Sequence, residues 1–288
     1  MGFWRLFRGR KVTPDKKRSQ PPEPEERPAS DQFQVGWATD IGHVRQRNED
    51  AVFVMTAHQT GGHGLVPFGL FVLADGMGGH RLGDIASALA TRIVAWHIIT
   101  ETFLHTLREE EPGADRPALS EVLVDAVNQA NAAVGVEVPG AGTTLTCALL
   151  IGPRAYIAHV GDSRAYLVLP DRLEQITRDH SLVDRLVELG QLTQAQAANH
   201  PQRNVLYRAV GQRGELEVDT YMRTVPPGAS LLLCSDGLWG TVEEGTIIRI
   251  IHEAPSPQIA CERLIQAANE AGGRDNITAI LVRPPGET

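Results

Sequence analysis

Four apolar runs in this chain each carry an aspartate at one end. Gly-Leu-Phe-Val-Leu-Ala leads into Asp75-Gly76, Ser-Leu-Leu-Leu-Cys-Ser into Asp236-Gly237, and Tyr-Ile-Ala-His-Val into Gly161-Asp162. Arg274-Asp275-Asn276 stands directly before the apolar run Ile277–Val282. Glycine beside three of the four aspartates lets the chain turn sharply and brings backbone close to a ligand. If these ends share one edge of a sheet, their carboxylates repel one another unless cations neutralise them. Oxygen donors without paired Cys or His point to Mg²⁺, Mn²⁺ or Ca²⁺ rather than Zn²⁺.

A further acidic motif lies upstream, in Asp40-Ile-Gly42-His-Val-Arg45-Gln-Arg-Asn48-Glu49-Asp50. Arg45 offers a planar fork that matches a phosphate oxyanion. Adjacent residues of an extended chain point to opposite faces, so Glu49 and Asp50 should serve a metal differently. Metals and an arginine, with no Cys or Ser nucleophile motif, point to phosphoester hydrolysis by metal-bound water.

Elements able to hold these groups in place follow from periodicity. Strand patterns cover 33–38, 51–57, 69–74, 144–151, 155–160, 165–169, 216–222, 230–234 and 278–282. Helical spacing appears twice, at Ile85, Leu89, Ile93 and Trp96, and again from Leu119 to Ala130. Thr241-Val-Glu-Glu244 reads as a capping box opening a helix through Ile251. Ser256-Pro257 places a cap and an N1 proline ahead of Ile259–Ala268. Many antiparallel-type strands with helices inserted in pairs predict an α+β sandwich flanked by helices.

The whole chain of 288 residues is 42% hydrophobic and 22% charged, an ordinary globular mixture. Residues 1–31 differ. Phe3, Trp4, Leu6 and Phe7 alternate with Arg5, Arg8, Arg10 and Lys11, and a stretch rich in Pro, Glu and Lys follows. Such a stretch reads as a disordered linker. Up to residue 30 the tail holds eight of the 27 Lys/Arg and four of the 35 Asp/Glu, so it carries +4 and the remainder −12. That charge argues against nucleic-acid partners and against a metal-dependent nuclease. Cys147, Cys234 and Cys261 lie far apart in apolar stretches, which suits buried thiols in a reducing cytoplasm. No apolar run reaches the roughly 18 residues needed to span a bilayer.

The motifs Thr39-Asp40-Ile-Gly42, Arg45, Asn48-Glu49-Asp50, Ala74-Asp75-Gly76-Met-Gly78-Gly79-His80, Gly142-Thr143-Thr144, Gly161-Asp162-Ser163-Arg164, Ser235-Asp236-Gly237 and Arg274-Asp275-Asn276-Ile-Thr278 occur in one order. Together they resemble the PPM (type 2C) metal-dependent serine/threonine protein phosphatases, the bacterial branch above all. The resemblance implies a central antiparallel β-sandwich with pairs of α-helices on both faces, in α-β-β-α layers. It implies a catalytic domain over 32–285 behind the tail of 1–31, with a flap over about 179–211. It also implies two tightly held Mg²⁺ or Mn²⁺ ions. Asp75 would bridge them, Asp236 and Asp275 would complete one, and Glu49 with the Gly76 carbonyl the other. Asp50 would support the site, largely through metal-bound water. Asp162 with Asp236 matches a third, weaker position. Arg45 would hold the phosphate, while Ser163 and Arg164 would brace the turn.

Eukaryotic members often have His directly after Asp-Gly; here that place is Met77, and His80 becomes the candidate general acid. The expected reaction is attack of a metal-bridging water on phosphoserine or phosphothreonine. The competing reading is a non-catalytic signalling module of the same fold, which loss of a metal ligand would favour; every expected ligand is present. Expected partners are phosphorylated proteins, including a Ser/Thr protein kinase, bound by a monomer in the cytoplasm. Residues 1–11 are expected to touch a membrane surface or a partner protein.

Overall fold

The computed structural model describes residues 32–59, 65–78, 82–107 and 117–285. Two antiparallel sheets pack face to face. One orders its strands β1 (Gln34–Asp40), β11 (Ile277–Arg283), β10 (Ser230–Cys234), β7 (Arg164–Val168) and β8 (Leu173–Gln175). The other orders β2 (Asp50–Ala57), β3 (Phe68–Met77), β5 (Leu145–Ile151), β6 (Arg154–Val160) and β9 (Asp219–Thr224), with the short β4 (Gly142–Thr143) pairing β3.

Alternation along β3 shows why the central strands read as unbroken apolar runs. Phe71 and Leu73 point between the sheets, where they meet Leu231, Leu233, Ile280 and Val282. Leu70 and Val72 point the other way, into a layer with Leu89, Val94, Leu123 and Val127. Successive strand residues face opposite sides, so a strand covered on both faces must be apolar throughout. The outer layer here is α1 (Gly83–Ile98), continued through a π-helical stretch (Ile99–Phe103) into α2 (Leu104–Leu107), with α3 (Leu119–Glu137). On the opposite outer face, α7 (Glu244–Glu253) and α8 (Pro257–Glu270) cover β10 and β11 with Ile247, Ile251, Leu264 and Ala268. The α-β-β-α layering expected from the sequence is therefore present.

Three smaller helices border the sandwich edge: α4 (Leu182–Glu188), α5 (Gln194–Ala198) and α6 (Asp236–Trp239). Two expectations need correction. The helix placed at Thr241 opens later, with Glu243 as its N-cap. Thr241 and Val242 donate their N–H groups to Leu238, so that segment closes α6 instead. The strand placed at 216–222 is paired only from Asp219, which stands opposite His159. By contrast Ser256 caps α8 as expected, its Oγ accepting from the Ile259 N–H.

Candidate active site

Strand ends bring the acidic groups together. Asp50 and Asp75 stand directly opposite each other across β2 and β3. Like charges in that register are destabilising without a cation between them. Asp75 has its N–H donating to Thr144 Oγ1 at 2.9 Å, and its carbonyl accepts from the Thr144 N–H at 2.8 Å. Beyond it, Gly76 is indispensable: a Cβ there would lie 2.2 Å from the Gly83 carbonyl oxygen.

Glu49 and Asp50 do diverge. The Asp50 carboxylate turns inward, where Oδ2 accepts from Thr278 Oγ1 at 2.6 Å and Ser235 Oγ at 3.0 Å. Its Oδ1 is buried with no hydrogen-bond partner. The Glu49 carboxyl lies instead beside Gly83 at the start of α1, and burial raises its pKa. Its main chain is fixed by Asn276, whose Oδ1 accepts the Glu49 N–H at 2.8 Å.

Arg45 reaches the cluster because the turn before it is locked. Gly42 donates to Asp40 Oδ1 at 2.8 Å, and the His43 N–H donates to the Gly273 carbonyl at 2.7 Å. The Arg45 guanidinium then donates to Asp275 Oδ2 at 2.6 Å while remaining half exposed. Arg45, Asp162, Asp236 and Asp275 line one cleft of about 620 Å³, together with Asp179, Asp184, Arg203 and Trp239.

Electrostatics show how these carboxylates press on one another. Burial first, then its acidic neighbours, holds Asp75 well above the usual carboxylate range; those neighbours are Asp50, Asp236, Asp162 and Asp275. Burial and Asp236 push Asp162 up to about 8. Burial likewise lifts Asp50 to about 7, and burial with Asp275 lifts Asp236 to about 6. Among the described residues no three His, Cys, Asp or Glu side chains close around a single point, and Arg45 is a cation that Asp275, Asp236 and Asp75 share. The donor set nevertheless fits hard divalent ions. It is all oxygen, it is mutually repulsive, and Asp50 Oδ1 is a buried acceptor lacking any donor.

Sequence reading placed Arg45, Glu49, Asp50, Asp75, Gly76, Asp162, Asp236 and Asp275, and the fold brings these positions to one edge of the sandwich. His80 lies outside the described residues. Trp239 was not foreseen: its indole donates to the Asp162 carbonyl at 3.0 Å, and the Arg164 guanidinium stacks 3.4 Å above its ring. Ser235, Thr278 and Thr144 were quoted only as parts of motifs, and their donors turn out to hold Asp50 and Asp75. Arg164 braces as expected, gripping Asp179 through Nε and NH2 at 2.7–3.0 Å.

Known proteins share this fold. The family model described as "Protein phosphatase 2C" matches residues 42–281. The serine/threonine phosphatase stp of Listeria innocua is 38% identical over 246 residues, covering 85% of this chain and 93% of that one. The crystal structure of the Mycobacterium tuberculosis serine/threonine phosphatase PstP/Ppp superposes with a TM-score of 0.69 at 36% identity, covering 88% of this chain and 99% of that one. A structure of the PstP catalytic domain in complex with two manganese ions superposes with a TM-score of 0.65 at 34% identity, covering 87% and 97%.

Proposed function

The chain belongs to the protein phosphatase 2C family and is a metal-dependent serine/threonine phosphatase acting on phosphorylated proteins, and from that premise we infer how its own residues divide the work. Asp75, Asp236 and Asp275 would hold one Mg²⁺ or Mn²⁺ ion, and Asp75, Glu49 and the Gly76 carbonyl a second. Asp162 and Asp236 would hold a weaker third, and Asp50 would support the site from its buried position. Bound there, the ions would supply an acidified water as nucleophile and positive charge facing the phosphate.

Arg45 binds the substrate phosphate. Its hold on Asp275 at 2.6 Å keeps the guanidinium at the cleft, and neutralising Asp275 frees its fork for phosphate oxygens. Hydrolysis breaks the ester P–O bond and returns a proton to the departing serine or threonine oxygen. His80 is the proposed donor of that proton. The observation that carries this reading is the mutual field of Asp50, Asp75, Asp162, Asp236 and Asp275, drawn from five separate chain segments to one place.

Phosphate release from a phosphothreonine peptide tests it. Chelation should abolish release and Mn²⁺ restore it. Asp236→Asn, which keeps shape and removes charge, should lose more than about 100-fold, beyond what changing a supporting residue costs. Wild-type turnover by that variant would exclude Asp236 as a ligand.

The catalytic domain spans 32–285, with 179–211 as its flap and a Ser/Thr protein kinase among its substrates. It works as a monomer in the cytoplasm. Buried free Cys147, Cys234 and Cys261 support a reducing compartment. Among the exposed large apolar side chains, Trp37, Trp96 and Met222 stand on three different elements, β1, α1 and β9, which supports a monomer. Cell fractionation and sedimentation velocity would test the two statements. Among the described residues no helix is long and apolar enough to cross a membrane.

A further inference from the structure

Both residues that bracket the Asp162 turn are held by consecutive residues, Asp179 and His180. Arg164 is gripped by Asp179, as described. Gly161, on the other side, has φ +112°, and a Cβ there would meet the Thr144 side chain at 2.6 Å. Only glycine serves at such a position. Its carbonyl accepts from the His180 N–H at 2.7 Å and faces His159 Nε2 at 3.0 Å. Its own N–H donates to His180 Nδ1 at 3.1 Å.

That last bond fixes the tautomer. Nδ1 accepts, so the neutral ring carries its proton on Nε2. Nε2 faces Asp219 Oδ2 at 3.3 Å. Arg208 NH1 also lies 3.3 Å from Nε2, but it is a donor too; it therefore shares Asp219, giving its proton to Oδ1 at 3.0 Å. The Tyr221 hydroxyl donates to the same carboxylate at 3.0 Å. His180 is 1% exposed and packs against the His159 ring, 5.0 Å between centroids. A continuous chain thus runs from Asp219 through the imidazole to the Gly161 peptide.

We propose that His180 is a positioning residue: by clamping the Gly161 peptide it aims the Asp162 carboxylate at the weakest of the divalent ions. The inference rests on the reading of Asp162 given above. Rotation about the Gly161 α-carbon would swing the next residue's side chain, and both peptides that meet there are tied to His180: Val160–Gly161 through the imidazole, which takes its N–H, and Gly161–Asp162 through the His180 main-chain N–H, to which its carbonyl is bonded. Residues that orient a ligand from behind commonly set metal affinity even though they never touch the metal.

The test is calorimetric titration of the full-length, metal-stripped protein with Mn²⁺, alongside thermal unfolding. The variants are His180→Ala, His180→Asn, His180→Gln and Asp162→Asn. An Asn side-chain oxygen falls near the place of Nδ1 and can take the Gly161 proton; a Gln amide reaches the place of Nε2. His180→Ala should weaken the weakest binding event about 10–100-fold and His180→Gln should follow it, while His180→Asn stays within about threefold of wild type. The two amide variants should unfold at similar temperatures. Should His180→Ala fail to fold, the order of His180→Asn and His180→Gln decides alone. Equal binding by those two, or rescue by His180→Gln only, overturns the proposal. A weakened Asp162→Asn beside wild-type binding in His180→Ala overturns His180 and leaves Asp162 standing. No weak event in wild type, or none lost in Asp162→Asn, overturns the reading of Asp162 and this proposal with it.

Discussion

Burial and mutual repulsion raise the folded-state pKa values of Asp50, Asp162 and Asp236 to about 7, 8 and 6, and hold Asp75 well above the usual carboxylate range. An unfolded aspartate titrates near 3.9. Between those limits the folded protein binds more protons than the unfolded one, so stability falls as pH rises. The contribution of these groups is fully present below about pH 4 and is lost through about pH 6–8. Chelator-treated protein should therefore melt at a lower temperature at pH 8 than at pH 5. Mn²⁺ should remove or reverse that trend, because it takes the protons' place. Calorimetric scans with the same slope in chelator and in Mn²⁺ would reject this account. Arg45 and His80 should fail differently. Arg45→Ala should raise KM for every substrate, since the phosphate is held before and during reaction. His80→Ala should lower kcat for a phosphothreonine peptide by about 10²–10⁴-fold and spare p-nitrophenyl phosphate, whose leaving group needs little protonation. Equal slowing of both substrates would remove His80 as the acid. Asp75, Asp162, Asp236 and Asp275 were legible because each follows or precedes an apolar run beside glycine or asparagine. The hydroxyls of Ser235 and Thr278 were not, because they meet Asp50 across 185 and 228 residues of chain.

Among the elements, the segment opening at Asp179 is fastened more firmly than its position beside a cleft would suggest. Asp179 is 3% exposed and meets the Arg164 fork, which is itself sandwiched against Trp239. Removing one partner of a buried pair strands the other charge, at about 3–5 kcal/mol. Asp179→Ala should lower unfolding free energy by that amount in urea titrations, and proteolysis within 179–211 should speed up. A loss below about 1 kcal/mol, the range of exposed pairs, would show that the clasp holds nothing. The same scale shows what periodicity can and cannot give. Ser256 capped α8 as read, since Ser-Pro before an apolar repeat has one local meaning. Thr241-Val-Glu-Glu244 had two, and the backbone bonds that close α6 took its first residues. The strand over 216–222 failed at its start for a related reason. Pairing with β6 begins at Asp219, and no local pattern in 216–218 announces where the partner strand ends.

Over the whole molecule charge is divided unevenly, +4 on residues 1–30 and −12 on the rest. That division lies in the sequence alone, since residues 1–31 fall outside the described residues. An anionic bilayer would repel the catalytic domain and attract the tail, each Lys or Arg near the surface contributing about 1 kcal/mol. Phe3, Trp4, Leu6 and Phe7 would add apolar insertion between the cations. Whether attraction or repulsion wins depends on distance. In the sequence, Pro14 to Pro28 stand between the basic, aromatic start of the chain and the acidic remainder. Repulsion is screened beyond about 10 Å at 0.1 M salt, so it acts only where the acidic remainder comes that near to a bilayer. The full chain should therefore bind phosphatidylserine vesicles, and binding should weaken as salt rises. A chain beginning at residue 32 should stay in solution yet hydrolyse a phosphothreonine peptide with unchanged kcat/KM. Equal vesicle binding by the two would place the contact on the domain and end the case for the tail. Loss of turnover in the shortened chain would instead mean that residues 1–31 belong to the catalytic unit.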